Sequence, residues 1–563
     1  MFQFLVARLS PYIADALRDP VRDAVNNSSV LSIMFDGATD CAVSEVEIIY
    51  CRVFHDGQTH DYFIGLADLE HAHAQGVFDA INNVMSTYIS PDWINKLIGA
   101  GSDGASVNIG RNNSVATRLR EGRPYVLLVH CIAHRLELGV LTAIKDNAML
   151  TMVQDMLKKV HKHYHYSPKA LRELKAVAEA MEEKFVKPTR LQGTRWLPHI
   201  SKALTGLLSG YQVILTHFAH VSQAGPGQAT APEVKGRAKF IHDKLTDFRV
   251  LRFIFFMQDL LAIVSTLSLR FQADGATCVD YLDALEASNL QLVQLRQNPG
   301  ENLQSFYDSI VQNGEQFEYQ TTRLKYYNAD ATYNDFQTVI DRVMDKLNNR
   351  FENATDAAKP MIQAGRVFDT KDWPHHDRDE LALYGNNQIT QIADHFAPVL
   401  ERMGCERGDL QNEWTAVKAH ISNRVRALNI RRPDNCPSIN ILFQNPDLGD
   451  RFKNLLMLVQ IILTLPLSSS ACERGFSAVK RIKTDWRATL ATSTMNNLLT
   501  ISIHGPSLQD YDAELAIQRW WTNGQRQRRP QFAAAPPGPG AAQNQPDLED
   551  EDRLLNYLLD HRQ

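Results

Sequence analysis

The order of apolar and polar positions changes character along the chain. Val30–Phe35 is a run of apolar and β-forming residues ending in FDGATD, and Glu45–Phe54 (EVEIIYCRVF) is rich in β-branched and aromatic residues. The tripeptide His55-Asp56-Gly57 predicts a hairpin turn, with Thr59–Ala67 as the returning strand. Gly76–Tyr88 has helical spacing, Ile94–Gly101 leads as a strand into the small-residue loop GSDGAS, and Arg111–Arg120 is again helical. A short buried strand at Tyr125–Val129 and a helix at Ile132–Ile144 complete this part. Three strands, then helix, strand, helix, strand and helix predict a mixed sheet with helices on its faces.

From about residue 145 the strand signals vanish. Long helical patterns follow, among them Leu150–His161, Pro168–Phe185, Ile200–Gln223, Phe253–Phe271, Ala276–Gln297, Thr332–Arg350 and Glu413–Leu428, with no fixed-period repeat. Arg451–Leu465 reads as an apolar helix, and Ser468–Lys483 as another whose leading serines supply an N-cap. Asn523–Asp552 is rich in Pro, Gly, Ala and Gln and ends in the acidic run Asp547–Asp552, the composition of a disordered tail. The expected division is a helical lead-in at 1–29, the first part of an α/β core at 30–145, an all-α block at 146–450, a helical segment at 451–522 and the tail at 523–563.

Composition narrows the class. The 563 residues exceed what one core usually holds, and 44 % apolar with 22 % charged residues is ordinary for a globular protein. With 59 Lys and Arg against 64 Asp and Glu the formal charge is −5, which excludes a uniformly basic nucleic-acid coat but not a local basic groove. Seven thinly spread cysteines exclude a disulfide scaffold and point to a reducing, intracellular compartment. The opening apolar stretch is too short for a signal peptide. Leu455–Leu467 and the charge-broken Val250–Phe271 read as buried helices rather than membrane spans, so no membrane partner is expected.

Three acidic residues stand out by position. Asp36 ends the first strand, Asp103 follows a later one, and Glu473 lies in the first turns of a helix far downstream. Carboxylates at strand ends, where loops converge, can hold a hard divalent cation that activates water for phosphodiester cleavage. The competing reading is local: Asp before Gly is a common turn residue, and Glu in a first turn a common cap. His130-Cys131-Ile132-Ala133-His134 and the later His161, His163 and His165 give half a zinc site at most, because Cys131 is the only cysteine nearby, and no zinc is expected; HKHYHY reads as a polar helix end. Basic and aromatic residues mix at Lys187–Trp196, Arg474–Arg487 and Arg519–Arg529, a pattern open to phosphate neutralisation and base stacking or to solvated helix faces around one core aromatic.

The segment SSSACERGFSAVKRIKTDWRATLATSTMNNLLTISIHG, Ser468–Gly505, resembles the C-terminal dimerisation signature of the hAT transposase superfamily. Upstream, FDGATD (Phe35–Asp40) and SDGASVNIGRNNSVATRL (Ser102–Leu119) resemble its first and second catalytic blocks, HCIAHRLELG (His130–Gly139) its CxxH block and TRW (Thr194–Trp196) its Arg–Trp block. The blocks stand in the family's order.

The resemblance implies an RNase H-like catalytic core interrupted by a large all-α insertion domain, with a C-terminal helical dimerisation region. It implies a DDE triad at Asp36, Asp103 and Glu473 binding Mg²⁺ or Mn²⁺, with Cys131, His134, Arg195, Trp196 and Arg474 around the pocket or against DNA, and Trp196 steadying a distorted flank. The residues after Trp196, LPH, depart from the family's usual pair. No counterpart of the family's N-terminal BED-type zinc finger is expected among residues 1–35, which hold no cysteine. DNA binding is therefore expected to be weak and non-specific, self-association to run through Leu455–Leu467 and the helices after Arg487, with the apolar residues Leu498, Leu499, Ile501 and Ile503, and the location to be the nucleus. Two functions compete: a metal-dependent DNA-cleaving transposase site, and a catalytically silent dimerising scaffold derived from one.

Overall fold

The computed structural model describes residues 2–191, 195–223, 231–351 and 358–522, so the expected tail at 523–563 lies outside the described residues. Helix α1 (Phe2–Asn27) leads into β1 (Leu31–Thr39), β2 (Glu45–His55) and β3 (Gln58–Asp68). Helix α2 (Ala74–Tyr88) connects β3 to β4 (Leu97–Ser102). Two short helices, α3 (Ser106–Ile109) and α4 (Val115–Arg120), lead on to β5 (Leu127–His130) and α5 (Ile132–Ile144). The strands make one mixed sheet in the order β3-β2-β1-β4-β5. β1, β2 and β3 are antiparallel neighbours, while β4 and β5 run parallel to β1. The β2–β3 turn places Asp56 and Gly57 at φ of 51° and 76°, the left-handed pair a two-residue hairpin requires.

Strand alternation sorts two cores. Ile33, Phe35, Ile49, Cys51 and Val53 pack with Val77, Ile81 and Met85 of α2 on one face. Met34, Ile48 and Tyr50 pack with Ala471, Cys472 and Val479 of the Ser470–Ile482 helix on the other. β2 is covered on both faces and buried along all but its ends.

Between β5 and the Ser470–Ile482 helix the chain runs through a mainly helical block. It leaves and rejoins the sheet at one corner: Ile132 N–H donates to Leu467 O at 3.1 Å, and Ser469 N–H to Cys131 Sγ at 3.3 Å. Buried Arg52 on β2 ties this corner down, pairing with Asp61 at 2.8 Å and donating to the carbonyls of Leu465 and Ala276. Phe248–Phe271, the one described helix long and apolar enough to cross a membrane, is mostly buried inside the block. Its two interior charges are satisfied there: Arg252 by Asp335 and Tyr307, and Asp259 by the backbone N–H groups of Asn302 and Leu303.

Two expectations for the block need correction. It is not all-α: β6 (Ile310–Asn313), β7 (Gln316–Tyr319) and β8 (Thr322–Arg323) form a small antiparallel sheet. The hairpin turns at Gly314, whose φ of 64° suits glycine. Nor is HKHYHY simply a polar helix end, because His163 and Tyr164 point inward and pack on His217 and Phe218.

The Thr492–His504 helix lies along the outer strand of the main sheet. Buried Asn496 accepts from Leu66 N–H at 2.6 Å and donates to Leu66 O at 2.7 Å, and His504 Nε2 bonds Phe63 O at 2.9 Å. The apolar residues expected at a dimer surface are largely used by the chain itself. Leu499 is fully buried and Ile503 packs on the same cluster, Leu498 and Ile501 are half-buried, and Leu455–Leu467 belongs to the core of the helical block. Among the described residues, the large apolar side chains left open in the C-terminal part are Trp486, Leu508, Leu515, Ile517 and Trp521.

Candidate functional site

Asp36, Asp103 and Glu473 line one cleft of about 670 Å³, together with His134, Glu137 and Arg195. Asp36 stands on β1, opposite Ile48 of β2, on the face that carries the Ser470–Ile482 helix. Asp103 follows β4. Its Oδ1 accepts from Ala105 N–H at 3.1 Å and from Asn108 Nδ2 at 2.7 Å, which fixes the SDGASVN turn. Gly104 in that turn has no room for a side chain, since a Cβ would come within 2.4 Å of the His130 ring.

Glu473 arrives from the far end of the chain on the Ser470–Ile482 helix. Gly475 lets that helix lie close on β2: a Cβ there would meet Ile48 Cδ1 at 2.4 Å and the Tyr50 hydroxyl at 2.8 Å. The buried face formed by Ala471, Cys472, Ala478 and Val479 holds the helix down and leaves Glu473 toward the cleft.

The electrostatics are those of crowded carboxylates. Burial, with the charge of Asp103 beside it, raises the pKa of Asp36 to about 7, against the lowering effect of the Gly37 N–H and Arg195. Behind them Glu47, 3 % exposed, is pushed well above the usual carboxylate range by burial and by Asp36 and Asp103, and its Oε1 has no hydrogen-bond partner. The Arg195 guanidinium pairs with Glu473. Carboxylate oxygens are the donors a hard divalent cation takes, and Asp36 and Asp103 are the pair whose crowding a cation would relieve. Glu473 is held by Arg195, and among the described residues no three His, Cys, Asp or Glu side chains are already arranged to hold a metal.

The remaining expected residues divide. His134 and Arg195 line the cleft. Arg474 also reaches it, but its guanidinium is used structurally, donating to Gln272 O at 2.9 Å and pairing with Asp274. Cys131 is not a cleft residue: it is 1 % exposed and sits in the seam with Ser468 and Ser469. Trp196, expected to steady a distorted DNA flank, opens the Trp196–Ser209 helix and packs partly buried on the core of the helical block.

Two residues escaped sequence reasoning. Glu137, one helical turn after His134, caps that helix by accepting from the N–H groups of Trp196 and Leu197 and so fixes where Arg195 enters the cleft. A Glu three positions after the last histidine of the HCIAH block was the only local sign. Glu47 could have been noticed as one of two charged residues, with Arg52, in the otherwise apolar interior of a strand, EVEIIYCRVF.

Among known families, residues 438–502 match the model of the hAT family C-terminal dimerisation region, a span that contains Glu473, Gly475, Trp486 and Asn496. The match supports hAT family membership and, with it, a transposase-derived protein that self-associates.

Proposed function

We propose that this chain is a self-associating, hAT transposase-derived protein whose cleft cleaves phosphodiester bonds in DNA with Mg²⁺ or Mn²⁺, on an RNase H-like core. The observation that carries the reading is the meeting of Asp36, Asp103 and Glu473 in one cleft from three distant parts of the chain. The mixed sheet, three antiparallel strands continued by two parallel ones with helices on both faces, supports the core assignment.

In this reading Asp36 and Asp103 would hold the cation, and the chemistry it would supply is activation of water and neutralisation of the leaving oxygen. Asp36 would serve as a ligand in its ionised form. Arg195, which pairs with Glu473, is placed to take a substrate phosphate, a partner of the same charge, and this would free the Glu473 carboxylate to stand with Asp36 and Asp103. Glu137 orients Arg195 by capping its helix, and His134 faces the same space. Substrate binding is through phosphates, hence weak and independent of sequence.

A second reading, a dimerising scaffold without catalysis, draws on the Arg195–Glu473 pair, which leaves no ready three-ligand set among the described residues. Incubation of nicked and branched DNA with Mg²⁺ or Mn²⁺ decides between them. The expected result is cleavage that Asp103→Asn lowers on the order of 10²-fold or more. A self-associated protein that never cuts, with or without the substitution, establishes the scaffold.

A further inference from the structure

We propose that Trp486 is a stacking platform for an unpaired base of a single-stranded nucleic acid, whose backbone is drawn there by Lys480, Arg481 and Arg487. The inference deepens the function proposed above by naming the form of the strand, and it rests on that reading for the strand's presence at the cleft.

Trp486 is 97 % exposed, in the short turn Asp485–Arg487 that follows the helix bearing Glu473. The other tryptophans have aromatic or core partners: Trp93, Trp373 and Trp414 are buried, Trp196 packs on a core, and Trp520 and the half-open Trp521 pack edge-to-face on each other. An indole on a surface loop with nothing against it loses apolar contact that most sites would supply, and it offers a flat π-face to solvent.

Its surroundings select an anionic partner. Lys480, Arg481 and Arg487 are exposed, and among the described residues their side chains make no ion pair or hydrogen bond. The nearby Lys483 is already neutralised by Asp40, and Asp485 is the one acid in the turn. Lys480 and Phe476 line both the carboxylate cleft and an adjoining hollow of about 440 Å³ whose far wall is Lys483, Thr484 and Asp485. A continuous path thus runs from Asp36 and Glu473, past Lys480, to the turn that carries Trp486. A second copy of the chain would bring like charges together here, whereas a phosphate backbone neutralises them. An unpaired strand is favoured over a duplex because only splayed bases expose a face to an indole.

The test is fluorescence anisotropy of the full chain with a labelled pyrimidine single strand and with the corresponding duplex, at two salt concentrations. Trp486→Ala is expected to weaken single-strand binding about tenfold and duplex binding less than about twofold, with Trp486→Phe keeping most of the affinity. Because the side chain is exposed, the melting temperature should not move. Arg481→Ala should lower the single-strand salt slope by about 0.7. Unchanged single-strand affinity in Trp486→Ala, or an equal loss on both substrates, overturns the proposal. So does a drop in mass by light scattering with unchanged affinity, which would assign the indole to a second copy. Asp103→Asn separates the two readings. Binding that depends on Trp486 in a chain that never cuts leaves this inference standing and removes the cleavage; cutting with binding indifferent to Trp486 does the reverse.

Discussion

At Asp36, burial and the neighbouring Asp103 oppose ionisation in the fold but not in the unfolded chain. The folded pKa of about 7 lies above the ordinary 3.8. The stabilisation from holding that proton is therefore complete below about pH 4 and is lost as the pH rises through about 7. Asp36→Asn should raise the melting temperature relative to the wild type at about pH 8, and the difference should close toward pH 4. Mg²⁺ should raise the wild-type melting temperature at the alkaline end and the variant's much less, since a ligand stabilises only the state that binds it. An equal shift in both would place the cation elsewhere. Gly475→Ala tests the other side of the cleft. The new methyl has to displace Ile48 and Tyr50, so a loss of about 1–3 kcal/mol in chemical denaturation is expected, with cleavage falling further than stability as Glu473 is lifted.

Among the elements, the strands, the hairpin at Asp56-Gly57 and the helices flanking Asp103 were legible because each is written in local periodicity and turn chemistry. The carboxylates were legible only as candidates, since nothing in their spacing says that residues 36, 103 and 473 share a cleft. What stayed hidden depends on partners far apart in the chain: Arg195 facing Glu473, Glu137 capping the Trp196–Ser209 helix, Arg52 reaching Leu465. The little β6–β8 sheet was missed because its strands are two to four residues long, below the length at which alternation is visible. Arg52 bears a stability consequence of its own. Arg52→Ala leaves Asp61 without its buried counter-charge and two carbonyls without a donor, and it should lower unfolding free energy by about 3–5 kcal/mol. A near-neutral result would mean that the corner between sheet and helical block is held by apolar packing alone.

For the whole molecule, self-association and folding are expected to draw on different residues within and beside the matched region. Leu499 is fully buried in the chain's own core, so Leu499→Ala should cost about 2–5 kcal/mol of stability while the folded fraction still associates. Ile517 is open on the Glu514–Thr522 helix, and Ile517→Glu should leave the melting temperature in place while reducing the mass seen by light scattering. The opposite pattern would return the interface to the Thr492–His504 helix.

The bidentate grip of Asn496 on Leu66 has a consequence for how the protein fails. A bare outer strand is a template for another molecule's backbone, and β3 is long enough to recruit one. With Leu66 N–H and C=O already taken by a side-chain amide, and Phe63 O by His504, that template is interrupted in its middle. The amide thus acts as a guard against aggregation, and it would be missed first on heating, when partly loosened copies meet and a freed edge begins to seed insoluble material.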